Sequence, residues 1–204
     1  MKWTTNVDRL FRAMTSLSVH DRHGMQIDQD IAYRQWQENT IKIRVNKRTI
    51  YLIGNGASAS MASHMAADLA KNAHVHTEVF SDLSLITAIS NDLSFEEVFA
   101  EPLRRRMEKG DMLVAISSSG QSPNVLRAVE TATAIGGITV TLSAMREDNP
   151  LRNMGEMNWH VPADTYGMAE TCHAAILHHW MDLVASADDR GASDKPIKLH
   201  QALK

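Results

Sequence analysis

The sequence predicts an α/β fold in which a parallel sheet is covered by helices on both faces. Two observations carry this. Short β-branched runs recur from residue 48 onward, at 49–53, 75–80, 112–116, 138–142 and 158–161, and they are apolar at consecutive positions rather than alternating. Helix-length amphipathic segments separate them, which is the βαβ alternation of a sheet with both faces buried.

The elements follow in order. Over residues 1–47, Val7, Leu10, Phe11 and Met14, and later Ile31, Trp36, Ile41 and Ile43, recur at helical spacing. They predict two helices, broken around residues 20–24. One later helix is marked at both ends: Ser122 is a suitable N-cap, Pro123 fits the first helical position, Val125, Leu126 and Val129 form the buried stripe, and Gly136-Gly137 ends it. The short strand at 158–161 leads to a last helix over about 167–187, and the tail is polar. The expected organisation is one domain overall, with an N-terminal helical segment 1–47, the α/β domain 48–187 and a C-terminal tail 188–204.

Composition narrows the function classes. The 204 residues are 44% hydrophobic and 22% charged, with 10 Gly and 5 Pro, which excludes a disordered or repetitive chain. A net charge of −3 gives no bulk drive toward nucleic acid or an anionic membrane, so any anion must be held locally. No apolar run reaches the ~20 residues of a membrane span. A single cysteine, Cys172, excludes an internal disulfide framework and suits a reducing compartment, and we expect a cytoplasmic protein. Ten histidines stand against that one cysteine, so acid/base or metal chemistry would fall to imidazole.

Two strand-to-helix turns could carry chemistry. Gly54-Asn55-Gly56-Ala57-Ser58-Ala59-Ser60 follows the first strong strand, and Ser117-Ser118-Ser119-Gly120-Gln121-Ser122 follows the third. Small residues let backbone N–H groups approach an anion, hydroxyls add donors, and helix N-termini add partial positive charge: a phosphate cradle without lysine. No G-x-x-x-x-G-K-[ST] motif occurs. The first turn also satisfies G-x-G-x-x-A, and Glu78 could act as a ribose-binding acid, so a nicotinamide-binding domain is the competing reading.

His64 and Asp68 lie four residues apart on the helix after the first turn, on one face, where they could serve one metal or one substrate proton. On the last helix Glu170 and His173 are one turn apart, whereas Glu170 and His178 share a side only loosely, with about 12 Å of rise between them. His173 is expected to support the site. His179, His20, His23, His74, His76, His160 and His200 are expected to be structural, and Cys172 a small buried residue.

The residues Gly54 to Ser58, His64 to Asp68, Leu85-Ile86-Thr87-Ala88-Ile89-Ser90-Asn91-Asp92, Ser117 to Leu126 and Glu170 to His178 together resemble the sugar isomerase (SIS) domain family, most closely its phosphoheptose isomerases. The resemblance spans about residues 30–186. It implies a three-layer αβα sandwich with a five-stranded parallel sheet of flavodoxin-like type, and a homotetramer built through N-terminal helices with active sites at subunit interfaces. It also implies that Ser58, Ser117, Ser118, Ser119 and Ser122 hold a sugar phosphate, that Asn55, Gly56, Asn91 and Asp92 contact the sugar together with Glu170, and that Asp68 and His178 exchange a proton between C1 and C2. The zinc ligands it implies are His64, Asp68, Glu170 and His178. Two of these depart from the family's pattern, in which a glutamate stands at position 68 and a glutamine at 170. The activity implied is isomerisation of sedoheptulose 7-phosphate to a manno-heptose 7-phosphate; the alternative is a non-catalytic SIS protein, a sugar-phosphate sensor or a scaffold resembling the replication initiator-associating proteins.

Overall fold

The computed structural model describes residues 2–189. The chain runs α1 (Trp3–Thr15), β1 (Ser18–Asp21), β2 (Gln26–Ile27), α2 (Gln29–Val45), β3 (Thr49–Gly54), α3 (Ala57–Ala73), β4 (His76–Val79), α4 (Leu83–Asp92), α5 (Glu97–Arg106), β5 (Met112–Ser117), α6 (Pro123–Ile135), β6 (Ile138–Ala144), a 3₁₀ turn (Pro150–Asn153), β7 (Met157–Val161) and α7 (Tyr166–Asp189). The expected polar tail beyond Asp189, with His200, lies outside the described residues.

The sheet order is β2-β1-β7-β6-β5-β3-β4. Five strands, β7 to β4, are parallel, and among themselves they follow the flavodoxin-like order. The sheet as a whole is mixed and has seven strands, not the expected five. The two extra strands come from the segment expected to be purely helical: in the break between α1 and α2, β1 and β2 form a hairpin, and β1 pairs antiparallel with β7. Asp21 closes the turn by accepting from the N–H groups of His23 and Met25 at 2.8 and 2.9 Å.

Side-chain alternation divides the core into two layers. Ile50, Leu52, Met112, Val114 and Ile116 face one side, with Ala62, Met65 and Leu69 of α3, Trp36 and Ile43 of α2, and Cys172, Ile176 and Trp180 of α7. Tyr51, Ile53, Leu113 and Ala115 face the other, against Val98, Phe99 and Leu103 of α5 and Val125, Ala128 and Val129 of α6. In the first layer Trp36 and Trp180 stack with ring centroids 4.2 Å apart, and Trp180 Nε1 donates to the buried Thr40 hydroxyl at 3.0 Å. This packing fixes α7 on α2 and aligns the site face of α7 with α3.

The last rungs of the central ladder pair Gly54 with Ile116 and Ser117 with Ser143. The β3–α3 and β5–α6 turns therefore leave adjacent strands side by side at their carboxyl ends. This is the point where the chain order reverses direction across the sheet, and it is where open α/β sheets bind ligands.

Candidate active site

Gly54 closes the first turn because a Cβ there would lie 2.5 Å from Ser58 Cβ. The turn then bonds to itself, Ser58 N–H donating to Asn55 O at 3.0 Å, and α3 begins. In the second turn Gly120 has φ +63°, its N–H donates to Ser117 O at 2.9 Å, and a Cβ there would lie 1.9 Å from Asn149 Oδ1. Asn149 is fully buried and its amide N–H groups donate to Arg146 O at 2.7 Å, Ser143 Oγ at 3.3 Å and Ala144 O at 3.4 Å. The loop after β6 thus braces the serine turn from behind.

Ser122 does occupy the N-cap of α6, but its side chain makes no capping bond. Its hydroxyl lies 3.1 Å from Ser117 Oγ instead, which turns both hydroxyls toward the space between the loops. That space is a cavity of about 300 Å³ lined by Asn55, Gly56, Ser58, Ser117, Ser118, Ser119, Ser122 and Glu170, together with Ala57, Ile116 and Tyr166. Among the described residues no Lys or Arg lines it. The donors this lining offers an anion are neutral hydroxyls and amides and the first turns of α3 and α6, which suits a phosphate oxygen cluster. Tyr166 was not anticipated; it stands four residues before Glu170, so the helical spacing already put the two on one face.

Beside this cavity α3 packs on α7. His64 Nε2 lies 3.3 Å from an Asp68 carboxylate oxygen, and the His64 and His178 rings are 5.3 Å apart between centroids. One ligand atom from each of His64, Asp68 and His178 can be chosen so that all lie within 4.8 Å of one another. A tetrahedral zinc with bonds near 2.0–2.2 Å holds its ligand atoms roughly 3.4 Å apart, so two imidazoles and a carboxylate here fit Zn²⁺ after small rotamer adjustments. A second cavity of about 230 Å³, lined by Ser60, Met61, His64, Met65, Ala174, Leu177 and His178, opens at this cluster.

Not every expected residue joins. Glu170 lines the serine cavity and is not part of the His64–Asp68–His178 cluster, as the 12 Å rise between it and His178 foreshadowed. Asn91 and Asp92, at the end of α4, are exposed, bond to each other at 2.9 Å, and do not line the serine cavity. His173, expected to support the site, turns toward the sheet: it is fully buried, with Nε2 3.1 Å from Ser143 O, and burial pulls its pKa down to about 4. Glu78, the possible ribose acid of the nicotinamide reading, is paired with Arg106. Of the histidines expected to be structural, His179 packs edge-on against Tyr33 at 4.6 Å, His160 is buried in β7, and His76 Nδ1 meets Thr49 Oγ1 at 3.1 Å.

The SIS domain family model matches residues 34–144. The chain is 36% identical over 145 residues to a phosphoheptose isomerase of Helicobacter pylori (strain Shi470), covering 68% of this chain and 75% of that protein. It is 32% identical over 149 residues to a phosphoheptose isomerase of Coxiella burnetii (strain Dugway 5J108-111), covering 69% and 74%. Among solved structures, phosphoheptose isomerase from Neisseria gonorrhoeae superposes with a TM-score of 0.76 at 26% identity, over 89% of this chain and 96% of that one. The fold is also that of a phosphoheptose isomerase from Francisella tularensis, with a TM-score of 0.77 at 22% identity over 91% of this chain and all of that one.

Proposed function

The chain belongs to the SIS domain family, and from that premise we propose that it is a phosphoheptose isomerase, interconverting sedoheptulose 7-phosphate and D-glycero-D-manno-heptose 7-phosphate. The observation that carries the reading is the adjacency of two chemically different sites along α3 and α7. A lysine-free serine cavity suits a phosphate, and beside it stands a cluster of imidazoles and a carboxylate suited to moving protons. Relatives that are phosphoheptose isomerases, at 36% and 32% identity, support the same activity.

Aldose–ketose isomerisation removes a proton α to a carbonyl and returns it to the neighbouring carbon through an enediol. Ser58, Ser117, Ser118, Ser119 and Ser122 hold the phosphate, and Asn55, Gly56 and Glu170 orient the sugar hydroxyls. Asn91 and Asp92 meet the sugar only if α4 approaches the cavity. Asp68 and His178 carry the proton between C1 and C2. His64, Asp68 and His178 would hold Zn²⁺, which when bound would supply Lewis-acid polarisation of the substrate oxygens. Ligation would use the lone-pair nitrogen of each imidazole and leave the other as N–H, so the acceptor left free in the ligand set is the second oxygen of Asp68, and His178 exchanges a proton only when it is off the metal.

The protein works as a cytoplasmic homotetramer. Trp3, Val7 and Phe11 stand one helical turn apart on α1 and are 74%, 43% and 65% exposed, which supports burial of that face against another copy. Among the described residues no helix is long and apolar enough to cross a membrane. The test is incubation with sedoheptulose 7-phosphate, with and without Zn²⁺, following aldose formation for the wild type, His178→Ala and Asp68→Asn. Turnover by the wild type and its loss in both variants is the expected result; no turnover on heptulose, pentose or hexose phosphates defeats the reading.

A further inference from the structure

The serine cavity draws its donors from two turns, and the sheet ladder that aligns them stops at Gly54 and Ile116 on the β3 side. Beyond that rung the two turns are joined by a side-chain clasp. Asn55 Nδ2 donates to Asn124 Oδ1 at 2.9 Å, and Asn124 Nδ2 donates to Asn55 Oδ1 at 2.9 Å. Asn55 lies in the first turn, three residues before Ser58; Asn124 is the second residue of α6, two after Ser122. Asn124 is 1% exposed and does not line the cavity, whereas Asn55 does.

We propose that Asn124 is a positioning residue that sets the spacing of the two phosphate-binding turns and the orientation of the Asn55 amide; this rests on the reading of the cavity as a phosphate site. The reciprocal pair couples the two amide orientations, because flipping either amide alone would set N–H against N–H and oxygen against oxygen. Asn55 spends one of its two N–H donors on the clasp and presents the other. Among the described residues the cradle is lined by neutral donors, with no lysine or arginine whose long reach could absorb a change in the gap between the turns. Its affinity therefore depends on donors held in place beforehand.

The experiment measures binding of inorganic phosphate by calorimetry, together with KM and kcat on sedoheptulose 7-phosphate. It compares the wild type, Asn124→Ala, Asn55→Ala and the double variant, each well below its own unfolding temperature. Asn124→Ala is expected to weaken phosphate binding about tenfold, the order of one net hydrogen bond, with KM rising in parallel and kcat changing less. The double variant should bind no more weakly than the weaker single variant, since both remove the same clasp. If Asn124→Ala does not fold, Asn55→Ala breaks the clasp from the cavity side, and weakened binding of phosphate itself is the expected reading. Wild-type binding with undiminished binding by the variants, or single effects that multiply in the double variant, overturns the role of Asn124 alone. Failure of the wild type to bind phosphate overturns the cradle and the clasp together.

Discussion

His64 on α3 and His178 on α7 face each other with ring centroids 5.3 Å apart, and Asp68, one turn along α3, reaches back to within 3.3 Å of His64. The pairing exists because small side chains let α3 and α7 lie close on one face of the sheet: Ala62 and Ala66 of α3 and Ala169 of α7 are all buried there. Added Zn²⁺, or Co²⁺ as a coloured substitute, should bind stoichiometrically. His64→Ala and His178→Ala should each weaken binding more than ~100-fold, beyond what loss of an outer-shell partner costs. The visible spectrum of the Co²⁺ form reads this without reference to activity; unchanged spectra in both variants would remove the site.

Asp68 is one methylene shorter than the glutamate usual at this position in the family. The proposed role of Asp68 as a proton carrier predicts that Asp68→Asn lowers kcat by ~100-fold or more, the range of general acid–base catalysis. Asp68→Glu should retain or raise kcat, because the longer side chain restores the family's reach. Complete inactivity of Asp68→Glu would mean that the site is built around the shorter acid.

Gly120 combines a left-handed backbone, φ +63°, with contact against the buried Asn149. An alanine there costs about 1–2 kcal/mol for the backbone alone, and its methyl would overlap Asn149 Oδ1. Gly120→Ala should therefore lower stability in urea by more than 2 kcal/mol or so and raise KM for the sugar phosphate in the same variant. A stable Gly120→Ala protein with normal KM would show that the loop after β6 does not brace the serine turn.

His173 provides the pH prediction. Burial favours its neutral form and brings its pKa down to about 4, against 6.5 when exposed in the unfolded chain. Its contribution is fully present above pH 6.5. It is lost as pH falls toward 4, because the unfolded state takes up the proton first, and the total is about 3 kcal/mol. Burial lowers the pKa of His160 and His20 as well, so they act in the same direction. Urea midpoints measured across this window should fall with acidification, and His173→Gln, which keeps a donor for Ser143 O but cannot titrate there, should fall less steeply. Parallel curves for the two proteins would refute the assignment.

The parallel strands, the turns that end them and the helix from Pro123 to Ile135 were legible in the residues. Consecutive apolar positions, Pro at a helix start and Gly at its end act over a few residues and carry their geometry with them. The His64–Asp68 pair was legible for the same reason, since four residues make one helical turn. The β1–β2 hairpin was not: Ser18 to Asp21 is polar at alternate positions and too short to stand as a strand until β7 supplies its ladder partner. Ser122 reads as an N-cap, yet its hydroxyl goes to Ser117, because a serine oxygen takes whichever neighbour the turn brings within reach.

By itself the sequence determined which residue types could hold a phosphate and move a proton, and that the chain would fold as helices over a parallel sheet. The resemblance already grouped His178 with His64 and Asp68; only the tertiary structure decided that Glu170 stands in the serine cavity and not in that cluster, that His173, on the same helix as His178, turns to the sheet, and that Asn124 meets Asn55. These choices depend on the rotation of α7 and on the lateral spacing of β3 and β5. Both are fixed by packing across the whole core, at Trp36 and Trp180 among other contacts, rather than by any local spacing of residues.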